Sequence, residues 1–272
     1  MKLSIITINL NNKEGLEKTI KSVVSQTFID YEFIIVDGKS ADGSIDIIKK
    51  YEEKISYWLS EKDSGIYNAQ NKGIRQAKGE FLYFLNSGDA LYEADTLEKI
   101  FADDPHDTFI CGSFYMEKGG ELEADTSYKY KDWNLAVYEL FSGFLCHQAF
   151  FIHSDNFKKY GLYDESLKVV ADWKLFFQAI AIEHQSVKYI DEFVVIYNME
   201  GFSTQIGGNV IYPEKLRVCR EFLNENAVKR LERLYYLEQN GFVTDIMKSK
   251  KWIYNSFRAF CKIGRIFGFV KG

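Results

Sequence analysis

Over residues 3–85, four short apolar runs rich in β-branched and aromatic residues are separated by three segments of helical spacing, and this alternation limits the folds open to the chain more than any other feature. The runs are Leu3 to Asn9, Tyr31 to Asp37, Ile55 to Ser60 and Glu80 to Leu85; the helical segments are Lys13 to Gln26, a stretch carrying Ile45, Ile48 and Tyr51, and Ile66 to Ala77. Such a pattern predicts an α/β domain with a mainly parallel sheet, because right-handed crossovers lay each connecting helix against the strands. Ligands of these sheets gather outside the carboxyl ends of the strands. The expected rim therefore runs through Thr7 to Asn11, Asp37 and Gly38, Glu61 to Ser64, and Asn86 to Asp89.

Beyond Asp89 the order loosens. The sequence predicts helices at Asp95 to Ala102, Trp133 to Phe141, Ser154 to Tyr160 and Asp172 to Ile182. It predicts strands at Thr108 to Phe114, Gln148 to Ile152 and Val187 to Ile196, and a hairpin across Glu117 to Lys129 around Gly119-Gly120. After Gly207-Gly208 the pattern is almost wholly helical, which divides the chain into a domain of residues 1–205 and a helical extension of 206–272.

A chain of 272 residues with 46% hydrophobic and 27% charged residues builds a packed core and is no candidate for disorder. Its cysteines form no C-x-x-C pair, so neither a zinc site nor a redox motif is indicated and a reducing compartment suits it. The N-terminus lacks the pattern of a signal peptide, and no run is long enough to span a bilayer, so the expected location is cytoplasmic. The net charge is −5, yet residues 248–272 carry +7 with no acid, leaving −12 on the remainder. A body this acidic argues against a nucleic-acid partner.

Three acids stand where chemistry is expected. Asp89 ends Asn86-Ser87-Gly88-Asp89, directly after the apolar FLYFL; a carboxylate held there by a rigid strand suits a divalent cation bridging two phosphates, or equally a turn that caps the next helix. Asp37 closes the second strand before a turn dense in glycine and small polar residues. Asp172 lies among Val169, Val170, Trp173, Phe176 and Phe177, where desolvation would raise its proton affinity toward that of a general base; it would serve as well as a helix cap. His147-Gln148 reads as a ligand contact or as a satisfied core pair.

Four ordered stretches extend this reading. LSIITINLNN, YEFIIVDGKSADGS, SEKDSGIYNAQNKGIRQAKGEFLYFLNSGD and HQAFFIHSDNFKKYGLYDESLKVVADWKLF together resemble the inverting family 2 glycosyltransferases, from about residue 2 to residue 200. The resemblance implies a GT-A fold, a nucleotide-sugar donor, a Mn2+ or Mg2+ cofactor, and a saccharide or lipid-linked acceptor. By the same resemblance, Thr7 and Asn9 would line the nucleotide pocket, Asp37 would bond the base and Asp63 would lie beside the nucleotide. Asn71 and Lys72 would face the donor, Asn86 would stand where the acidic metal motif begins, Asp89 would hold the cation, and Asp172 would act as base. The chain departs from the family pattern at Asn86, where an acid is common, and at Ile8 and Gln70, where Pro and Arg are common.

A nucleotidyltransferase should open with a glycine-rich loop, whereas here the first strand runs into Leu10-Asn11-Asn12-Lys13. A dehydrogenase should show G-x-G-x-x-G there. A non-catalytic relative would have no need of both Asp89 and Asp172. Residues 248–272 interleave basic residues with Trp252, Ile253, Phe257, Phe260, Ile263 and Phe267 at near-helical spacing, which suits a helix lying on an anionic membrane or one docked on the domain.

Overall fold

The computed structural model describes residues 1–130, 136–143, 145–201 and 208–239. Its N-terminal half follows the alternation closely: β1 (Leu3–Asn9), α1 (Lys13–Val24), β2 (Tyr31–Asp37), α2 (Ser44–Lys50), β3 (Tyr57–Ser60), α3 (Ile66–Gln76) and β4 (Phe81–Phe84). Then come β5 (Ala90–Leu91), α4 (Thr96–Phe101), β6 (Phe109–Lys118), β7 (Glu121–Asp125), α5 (Ala136–Ser142), β8 (Phe150–His153), α6 (Asp155–Tyr160), α7 (Ala171–Phe176) and β9 (Val187–Asn198). Two helices, α8 (Gly208–Phe222) and α9 (Glu225–Gln239), end the described chain.

All nine strands join one sheet, ordered β3-β2-β1-β4-β8-β6-β9-β5 with β7 attached to β6. The pairings from β3 through β2 and β1 to β4 are parallel, as the alternation predicts. Past β4 the sheet is mixed: β8 runs antiparallel to both β4 and β6, β5 antiparallel to β9, and β6 parallel to β9. β6 turns back into β7 through Gly119-Gly120 at φ 59° and 84°, a tight two-residue hairpin that only antiparallel neighbours can use.

The apolar runs become central strands because both faces are covered. β4 is buried throughout, and each of its large side chains contributes about 1.5–3 kcal/mol by leaving water. α3 sits so close to β1 that a Cβ on Gly73 would come 2.5 Å from Ile6 Cγ2. After stepping outward from β1 to β3, the chain returns across the sheet to β4, and this reversal beside β1 opens the crevice where a ligand binds.

The helix α8 packs back onto α5 and onto the segment before α7. The Glu214 carboxylate accepts from the backbone N of Lys168 (2.8 Å) and of Val169 (3.1 Å), and Lys215 Nζ donates to the carbonyls of Leu140 (3.0 Å) and Phe141 (3.2 Å) at the end of α5.

Candidate active site

The parallel register sets Asn9 beside Asp37 at the carboxyl ends of β1 and β2. Asn9 Nδ2 donates to Asp37 Oδ1 (2.8 Å), which also accepts from Ser40 Oγ (2.6 Å); Oδ2 accepts from Ser40 N (2.9 Å) and Ser60 Oγ (2.6 Å). Burial pushes the Asp37 pKa up, but these donors outweigh it and hold the carboxyl below its ordinary value. With 0% exposure and four hydrogen bonds accepted, Asp37 holds the turn after β2. Asn9 Oδ1 is buried without a partner among the described residues.

The loop after β4 is pinned from α1. Thr19 Oγ1 donates to the carbonyl of Asp89 (2.6 Å) and accepts from Gly88 N (3.0 Å), while Asn12 Nδ2 donates to the carbonyl of Ser87 (3.1 Å). Gly88 turns the chain at φ 106°, and a Cβ there would lie 3.1 Å from Asn198 Nδ2, so the turn demands glycine. This sends the Asp89 side chain inward, 4% exposed, where Oδ1 accepts from Asn198 N (2.9 Å) and Oδ2 from Gln148 Nε2 (3.0 Å). Desolvation dominates over those two donors and raises its pKa to about 6.

The neighbouring residue of Gln148 reaches the other acid. In the 3-10 turn His147–Ala149, His147 Nδ1 lies 2.9 Å from Asp172 Oδ2, and its Nε2 lies 3.4 Å from Asn86 Nδ2. Asp172 Oδ1 accepts from Tyr67 Oη (2.8 Å) and from Trp173 N (2.8 Å). Burial pushes the Asp172 pKa up, yet His147, Tyr67 and the Trp173 amide together leave it below the ordinary value. The expected rise in proton affinity is therefore not met, because three donors favour the anion more than desolvation opposes it. The side chains of His147 and Asp172 keep 14% and 13% exposure, at the floor of the crevice.

Other expected residues divide between rim and scaffold. Asp63 and Lys72 pair at the mouth of the β3 loop, with Glu61 Oε1 2.9 Å from the same ammonium. Thr7 is fully buried, its hydroxyl donating to the carbonyl of Leu85 (2.7 Å), and so ties β1 to β4 rather than facing a ligand. Asn71 is likewise buried: it donates to the Tyr163 carbonyl (2.9 Å) and Glu165 Oε1 (2.9 Å) and accepts from Tyr163 N (2.9 Å), which ties α3 to the 163–165 segment. Tyr67, Thr19 and Asn198 carry no signal that spacing could reveal, since each reaches its acid across more than 69 positions.

Residues 4–161 match the family model described as glycosyl transferase family 2. Over 210 residues the chain is 31% identical to the PGL/p-HBAD biosynthesis glycosyltransferase of Mycobacterium bovis, covering 73% of this chain and 77% of that one. The chain belongs to glycosyl transferase family 2.

It is also 34% identical over 119 residues to the cholesterol galactosyltransferase of Borreliella burgdorferi, across 42% of this chain and 33% of that one. Among solved structures, this glycosyltransferase shares its fold with S. aureus TarS 1-349 in complex with UDP-GlcNAc, at a TM-score of 0.70 and 19% identity over 89% of this chain and 73% of that one. The Pyrobaculum calidifontis mannosyltransferase PcManGT, in complex with GDP-Man and Mn2+, aligns at a TM-score of 0.53 and 15% identity over 71% of this chain and 56% of that one.

Among the described residues no group of three or more His, Cys, Asp or Glu is placed to hold a metal ion. Asp89 nonetheless has the chemistry for one contact: among the described residues each oxygen accepts a single hydrogen bond, and a carboxylate with so little compensating charge suits a hard cation. Among the described residues no helix is long and apolar enough to cross a membrane. The basic, aromatic segment 248–272 and the boundary near residue 205 lie outside them.

Proposed function

We propose that this glycosyltransferase moves a sugar from a nucleoside diphosphate donor, with UDP-sugars the first class to test, to an acceptor hydroxyl with inversion, in the synthesis of a polysaccharide or glycolipid. The observation that carries this reading is the dipeptide His147-Gln148, which links Asp172 to Asp89 beneath the carboxyl ends of β1, β2 and β4. One acid is thereby poised on each side of a single turn.

The nucleotide would lie across the ends of β1 and β2, beside Asn9, Asp63 and Lys72, in a turn shaped by Asp37. Asn86 would face the sugar, with Thr7 and Asn71 supporting from behind. Asp89 would hold Mn2+ or Mg2+, which when bound would offset the charge of the departing diphosphate. Asp172 would take the proton of the acceptor hydroxyl as its oxygen attacks the anomeric carbon from the face opposite the diphosphate. Residues 248–272 would lie on the inner face of an anionic membrane and bring a lipid-linked acceptor to the site.

The test is a panel of nucleotide sugars, each with and without Mn2+, read first as thermal stabilisation and then as transfer to simple glycoside acceptors with NMR assignment of the new anomeric centre. A donor that stabilises the protein and yields an inverted product is expected. Retention of configuration, or stabilisation by no nucleotide sugar, would remove the reading. Flotation of the full chain and of a truncation lacking 248–272 with anionic vesicles tests the membrane contact, and equal flotation of the two would end that part.

A further inference from the structure

We propose that His147 is a positioning residue that fixes the carboxylate of Asp172, so that Oδ2 alone receives the acceptor's proton; this rests on the transferase reading above with Asp172 as base. Oδ1 accepts from Tyr67 Oη and Trp173 N, both at 2.8 Å, which fills both of its lone pairs. Among the described residues, Oδ2 meets only His147 Nδ1, at 2.9 Å, which leaves one of its lone pairs open. The two oxygens of one carboxylate are thus inequivalent. Burial and the adjacent charge of Asp172 keep the Tyr67 phenol protonated, so it is a permanent donor.

The ring orientation follows from the same partners. A carboxylate only accepts, so Nδ1 of His147 carries a proton, and Nε2 on the far side of the ring faces Asn86 Nδ2 at 3.4 Å. Asn86 sits on the loop that ends at Asp89, and the next residue after His147, Gln148, holds Asp89 itself. A rigid ring therefore spans from the donor-side loop to the base and sets their separation.

In the step this serves, the acceptor O–H proton moves to Oδ2 of Asp172 and the acceptor oxygen's electron pair forms the bond to the anomeric carbon. The bond from that carbon to the diphosphate oxygen breaks, its electron pair leaving with the nucleoside diphosphate. His147 keeps its Nδ1 proton throughout. Without the ring, the carboxylate is held through Oδ1 alone and Oδ2 loses its restraint, and an error of about 1 Å in placing a reacting group costs on the order of 100-fold in rate.

The experiment compares H147A, H147N and H147Q with D172N, in the full chain with the donor found above, recording kcat, donor KM and melting temperature. An Asn amide nitrogen overlays Nδ1, whereas a Gln amide reaches only toward Nε2. Expected are a fall in kcat of about 10–100-fold for H147A and H147Q with donor KM within about 2-fold, and recovery to within about 5-fold of the parent for H147N. Wild-type kcat in H147A would overturn the proposal, as would a folded H147N as inactive as H147Q, which would make His147 itself the proton acceptor. If H147A does not fold, the Asn and Gln variants decide alone. Full transfer by D172N would instead overturn the underlying assignment of the base.

Discussion

Asp89 is buried and Asp172 partly so, both are reached by the same two-residue turn, and yet they are shifted in opposite directions. Asp89 meets one amide N–H and one side-chain amide, and desolvation wins, raising its pKa to about 6. Asp172 meets a ring N–H, a phenol and an amide N–H, and the donors win, lowering it. Burial by itself does not fix the sign; the number and strength of donors aimed at the anion does. The contrast also separates two kinds of work, since a carboxylate short of compensating charge invites a cation, whereas one held by three donors is fixed in orientation.

The largest test of this contrast is D172N. It is expected to lower kcat by about 1000-fold with donor KM little changed, measured in steady-state transfer assays, because a positioned general base contributes about 100- to 10,000-fold. A variant that loses activity only by unfolding would erase the distinction.

D89A should act on stability first. It leaves the Asn198 amide and the Gln148 side chain without their partner, which costs about 1–3 kcal/mol in urea unfolding without added cation. The folded pKa near 6 lies above the ordinary 3.8, so the Asp89 contribution to stability is fully present below 3.8 and is lost as pH rises through 6. Destabilisation by D89A is therefore expected to be larger at pH 5 than at pH 7.5. Asp172 has the reverse sign: its contribution is present above the ordinary carboxylate value and fades as pH falls through its lower folded one. D172N should accordingly flatten the acid limb of the stability curve and leave the region from pH 5 to 7.5 unchanged. The same D89A variant is expected to lose Mn2+-dependent stabilisation by the donor.

Y67F is a finer probe. Removing the phenol donor at 2.8 Å raises the Asp172 pKa, so the acid limb of the kcat profile should move to higher pH with a fall in kcat of about 10-fold or less. An unmoved limb would mean that Tyr67 packs without influencing the base. The smallest effect is expected from E214A, which releases the backbone of Lys168 and Val169 three residues before Asp172. A loss of about 1 kcal/mol and of kcat by a few-fold, with Mn2+-dependent stabilisation intact, would show that α8 supports the Asp172 side only.

Much of the fold was legible because it is written locally. Continuous apolar runs become central strands, helical spacing becomes the covering helices, and Gly119-Gly120 becomes a hairpin, each decided by neighbours within a few positions. The mixed half of the sheet was less so, since strand direction past β4 depends on how chain segments return in space. The polar residues at the strand ends were visible for the same local reason: Asn9 and Asp37 close β1 and β2, and Asp89 lies in the loop that follows β4.

The partners of those acids were not visible. Gln148 meets Asp89 across 59 positions and Tyr67 meets Asp172 across 105, and no periodicity connects such pairs. Sequence alone determined which elements form and which carboxylates stand at the crevice, because propensity and burial pattern act over one or two turns of chain. Tertiary structure alone decided in which direction each carboxylate is shifted, because donors and desolvation are set by groups that only the folded packing brings to about 3 Å.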